Sequence, residues 1–135
     1  MRLLSQKEIN QKIDEVLKNG MWMLRRSNNG KSYKGFQWRP VGEWTEAPDW
    51  DPLPICGGGL HGNTKNCSGF WCDGKDLDFC AVENIVKIGS EKIKCQRAMV
   101  LLRNRLPKID KWTGSLDLRG CDLKGITLPE RYKIL

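Results

Sequence analysis

Two β-prone runs set back to back constrain this chain more than any other feature. "FCAVENIVKIGS" (79–90) and "KIKCQRAMVLL" (92–102) are separated only by the turn residues of "GSEK". Branched and aromatic side chains bounded by Gly and Ser read as two strands of one antiparallel hairpin. A helix over 91–104 is the rival reading, because a short apolar run fits both periods.

The N-terminus carries the complementary signal. In "SQKEINQKIDEVLKNG" Ser5 and Glu8 have capping-box spacing, and Ile9, Ile13, Val16 and Leu17 recur on one helical face. Gly20 is a natural stop. "MWMLRRS" follows as a strand, "NNG" as a hairpin turn and "KGFQW" as its return strand, with "GEWTEA" as a further short strand. "PDWDPLP" places three prolines in seven residues and reads as an extended loop. These elements predict an α+β fold: an N-terminal helix (1–20), a main domain with a mainly antiparallel β-sheet and a long Gly/Pro-rich loop (21–110), and a tail (111–135).

The tail has its own period. In "LDLRG-CDLKG-ITLPE" Leu118, Leu123 and Leu128 occupy one position of a five-residue repeat, and Leu116, Cys121 and Ile126 fall two places before them. That pattern predicts a short β-solenoid of pentapeptide type, or a leucine-rich coil, packed on the main domain because so few units cannot bury their own faces.

No run of 18 apolar residues and no signal-peptide pattern is seen, so a cytoplasmic protein with no membrane partner is expected. Six cysteines then read as reduced thiols. The net charge of +7 splits into +6 over residues 1–39, −6 over 40–91 and +7 over 92–135. An acidic middle between basic ends is not the single-sign stripe of a dedicated nucleic-acid binder, which makes nucleic acid a third choice of partner.

The chemistry-bearing stretch is "ICGGGLHGN", where Cys56, Gly57, Gly58 and Gly59 precede the sole histidine, His61. Consecutive glycines can form an anion-binding nest, or a tight turn feeding a strand. In a strand, Leu60 and His61 would face opposite sides. No Walker or Rossmann spacing is present. Cys56, His61, Cys67, Cys72 and Cys80 lie close in sequence but form no C-x2-C pair, so scattered thiols are preferred to zinc and no metal is expected. Trp38, Trp44 and Trp50 recur every six residues and are candidates for an interaction surface.

Taken in order, "GFQW", "EAPDWDP", "CGGGLHG", "VKIGSEKIKCQRAMVL" and the repeat tail resemble an uncharacterised family of phages, prophages and some bacteria. The resemblance implies a small accessory protein that binds a host protein or a small ligand, with interference in host defence as one use. It carries no activity, and an enzyme is not the expected reading. The turn-to-strand entry "GGGLH" also resembles the middle motif of ADP-ribosyltransferase-like folds. That likeness implies NAD at the glycine loop, His61 in the nicotinamide pocket, Arg25 or Arg26 on a phosphate, and Glu91 as the late glutamate.

Overall fold

The computed structural model describes residues 3–31, 35–63, 74–89 and 92–108, with the backbone of two short strands at 115–116 and 133–134. One helix, α1 (Gln6–Asn19), precedes strands β1 (Trp22–Ser27), β2 (Trp44–Glu46), β3 (Leu60–Asn63), β4 (Asp76–Lys87), β5 (Lys92–Arg103), β6 (Ser115–Leu116) and β7 (Lys133–Ile134).

The helix starts where its capping chemistry dictates. The Glu8 backbone N–H donates to Ser5 Oγ, and the Ser5 N–H donates back to the Glu8 carboxylate. Gly20 closes it in the left-handed conformation at φ 76°. The two apolar runs form the long β4–β5 hairpin, paired from Asp78↔Arg103 to Lys87↔Ile93 with one register shift at Phe79/Cys80. The helical alternative over 91–104 does not form.

The sheet closes on itself. β1 pairs with β4 along its length and with β3 at Leu24, β3 pairs with β5, and β5 pairs back with β4. The result is a small, mostly antiparallel barrel, to which β2 adds an edge along residues 97–99 of β5. Closure leaves β4 buried on both faces from Leu77 to Val82. Met23, Leu60, Cys80, Val82, Ile93, Cys95, Ala98 and Val100 fill the inside, capped by Trp38. Trp22, Leu24, Leu77, Phe79, Ala81, Met99 and Leu101 form the outer apolar face, and α1 covers it with Ile9, Ile13 and Val16.

One expected strand is absent. The "NNG" turn forms, with Asn29 and Gly30 both at positive φ and Asn28 and Lys31 exchanging two backbone hydrogen bonds of 3.0 Å. The return strand "KGFQW" does not follow it. Among the described residues only Gln37 makes a bridge, to Lys31. β4 takes one edge of β1 along its length and β3 meets the other at Leu24, and the chain turns away to close the end of the barrel with Trp38. The five-residue repeats, 117–132, lie outside the described residues; the flanking β6 and β7 pair in parallel, Ser115 with Lys133 and Leu116 with Ile134.

Gly62 sits where β3 crosses β1. A Cβ there would overlap the Met23 sulfur and stand 2.8 Å from the Leu24 carbonyl oxygen. Gly62→Ala is expected to destabilise the barrel by about 1–3 kcal/mol through overpacking, read as a lower thermal midpoint against wild type.

Candidate functional site

The glycine loop folds over the outer face of β3 and β5. Leu60 enters the barrel and His61 faces outward, as the alternation predicts. Gly58, at φ 59°, lets the loop double back, and its carbonyl accepts from the Asp51 N–H at 2.9 Å. Gly59 needs its missing side chain for space: a Cβ would lie 3.2 Å from the Trp50 ring and 3.3 Å from Lys94 Cβ. The run of glycines thus lets a backbone lie flat on a lysine.

That lysine was not anticipated. Lys94 is fully buried and donates from Nζ to the Gly57 carbonyl at 3.0 Å, with its ammonium 5.8 Å from the centre of the Trp50 ring. Register places His61 directly across from Lys94. Lys92, on the same face, reaches to 3.7 Å from the sulfur of exposed Cys56. The half-buried imidazole is pushed below its ordinary value of 6.5, first by burial, then by the Lys92 and Lys94 charges, with Asp49 opposing. The alternation Lys92-Ile93-Lys94-Cys95 was the available signal, since it puts both amines on one face of a strand.

Arg25 and Arg26 are not brought to this loop. Both are buried in β1. Arg25 points into the barrel, its guanidinium 3.7 Å from the centre of the Trp38 ring and its Nε 3.9 Å from Asp78. Arg26, on the other face, donates from Nε and Nη2 to the Gly74 carbonyl, the Nε bond being 2.9 Å. The centre of the inner cluster is Asp78, with no exposed surface. It accepts from Ser27 Oγ at 2.8 Å and from Arg103 at 2.7 and 3.2 Å. Burial works against the Arg103 charge, but the bonds and charge of Asp78 outweigh it and hold the guanidinium above its ordinary range.

The tryptophans do not form one exposed platform. Trp38 is buried on Arg25, Trp44 is half-buried between Arg97 at 4.5 Å and Lys12 at 5.6 Å, and Trp50 lies over Lys94. Trp38 and Trp44 do help to line one groove of about 600 Å³, together with Phe36, Gln37, Arg39, Pro40, Thr45 and Glu46.

Cys80 and Cys95 are free, buried thiols; burial raises both, Cys95 to about 12. Cys67, Cys72 and Glu91 lie outside the described residues. Among the described residues no three metal-ligating side chains converge, and no helix is long and apolar enough to cross a membrane. No family model matches the chain, and no curated protein or solved structure matches it.

Two outcomes follow from these contacts. Asp78→Ala, which strands Arg103 and Arg25 in the interior, is expected to cost about 3–5 kcal/mol, measured by denaturant unfolding. His61 binds a proton less readily folded than unfolded, so its contribution is full above the unfolded value of 6.5 and is lost as the pH falls from there through the lower folded value. Unfolding midpoints of wild type and His61→Gln between pH 8 and pH 5.5 check this: wild type loses more stability on acidification.

Proposed function

We propose that this protein works by binding, as a small cytoplasmic accessory protein that takes an extended segment of a partner protein along the edge of β2. The observation that carries the reading is the arrangement of backbone groups beside the aromatic groove. Ala47 N–H donates to the Gln96 carbonyl at 2.8 Å, in register with Thr45↔Ala98. Antiparallel ladders alternate, so Thr45 and Ala47 turn their backbone groups to β5, and Trp44 and Glu46 turn theirs away from it. On that side Arg39 N–H bonds the Thr45 hydroxyl at 2.8 Å rather than the β2 backbone, and the groove lies between the two segments. An added strand would supply the missing ladder, and the exposed ring of Phe36 with the half-buried ring of Trp44 would meet its side chains.

A small-ligand site at the glycine loop is the rival reading. There Arg25 and Arg26 are engaged elsewhere, so a phosphate of NAD would be met by Lys92 and Lys94 instead. For the tail we infer the short β-solenoid-like coil that its five-residue period implies, a reading supported by the parallel pairing of β6 with β7.

The groove reading is tested with a photo-crosslinking residue at Arg39, whose side chain is exposed, and with Glu46→Pro. The proline deletes an N–H that faces the groove and leaves the ladder to β5 intact. Crosslinks should map to one contiguous partner segment, and the proline should weaken its capture at least about ten-fold, the loss of roughly 1.4 kcal/mol of binding. Scattered crosslinks, or capture indifferent to the proline in a folded variant, would overturn the reading.

A further inference from the structure

Two polar groups on the outer face of β3 and β5 stand without the partners that burial demands. Lys94 is fully buried. Its one described hydrogen bond, to the Gly57 carbonyl at 3.0 Å, uses one of three N–H donors. Among the described residues no carboxylate lies within ion-pairing reach of its Nζ. Directly across the ladder, His61 buries an Nδ1 that has no hydrogen-bond partner among the described residues. Buried cations are ordinarily paired, and an orphaned buried nitrogen marks a place for a missing group.

The two groups are neighbours by construction, since side chains facing each other across antiparallel strands lie about 5 Å apart at Cβ. Lys92 joins them on the same face, across from Asn63, with its Nζ at 3.7 Å from Cys56 Sγ at the mouth of the loop. The opposing charge that His61 senses is that of Asp49, on an exposed loop position. A cation would be repelled by two ammonium groups. A small oxyanion would supply a counter-charge for Lys94 and acceptor oxygens for its free donors and for an Nδ1–H of His61.

We propose that the face of β3 and β5 beneath the glycine loop is a binding site for a small oxyanion, a phosphate group above all, held by Lys94, Lys92 and His61. The site is separate from the β2 groove, and either reading survives the failure of the other. Bound phosphate favours the protonated imidazole, which the charges of Lys92 and Lys94 oppose. Protonation of His61 and anion binding are therefore linked.

The chain has one histidine, so a single imidazole resonance reports the site. Its titration is followed by NMR from pH 5 to 8 in inorganic phosphate and in chloride at equal ionic strength. Saturable phosphate binding should raise the apparent pKa by about one unit, a roughly ten-fold preference of the anion for the protonated form. Lys94→Met should abolish the shift. Lys92→Gln, a half-exposed position, should reduce it and covers the case in which the first variant fails to fold. Adenosine monophosphate separates two sources of the same chemistry: action at lower concentration than phosphate assigns the site to a nucleotide, and phosphate acting alone assigns it to the free anion. An unchanged titration in phosphate, an equal shift in chloride, or a shift retained by both variants would overturn the proposal.

Discussion

A carboxylate with no exposed surface, Asp78, sits inside the barrel and determines what may surround it. An ionised group there survives only with close donors and an opposite charge. Ser27 from β1 and Arg103 from β5 supply the bonds, and Arg25 from β1 adds a second cation. Three strands are thereby fixed to one point at one end of the barrel, while the other end is filled by aliphatic side chains and two thiols. A slip of one residue between β1 and β4 would carry Arg25 out and leave Asp78 with a partner missing. Such a cluster contributes little net stability compared with an apolar core, but it discriminates strongly between registers.

The indole rings extend the same logic outward. Trp38, Trp44 and Trp50, evenly spaced in the chain, each meet a cation from a different part of the fold: Arg25 of β1, Lys12 of α1 with Arg97 of β5, and Lys94 of β5. Each contact joins the irregular 36–59 stretch to a regular element. This stretch contributes only β2 to the sheet before β3 begins, so side-chain stacking substitutes for the missing ladder. It also explains why a tryptophan-rich segment leaves little indole surface open.

Local rules were legible in the sequence, and partner choice was not. The capping box of Ser5 and Glu8, the "NNG" turn and the β4–β5 hairpin depend on residues within a few positions of each other, and each appears where its chemistry predicts. The "KGFQW" return strand is displaced by partners far away in sequence: β4 along all of β1, and β3 at Leu24. At the candidate site, the alternation of Leu60 and His61 was readable. The burial of Lys94 was not, because lysine is almost never fully buried and only the folded loop covers it. Asp78 was hidden for a similar reason: the strand was read from Phe79 onward, whereas it begins at Asp76 and closure turns the Asp78 face inward.

Closure of the barrel also orders events in time. Of its four seams, only β4–β5 joins strands adjacent in sequence; β1 must find β4 some fifty residues on, and β3 must find β5 across the intervening β4. Loop closure over such spans slows folding and makes the local hairpin the natural nucleus. During synthesis the N-terminal segments would emerge first, with β1 lacking its long partner until β4 is complete at Lys87 and the barrel open until β5 is complete at Arg103. For this chain the vulnerable interval is the translation of its own second half, when a helper protein would have the most to shield.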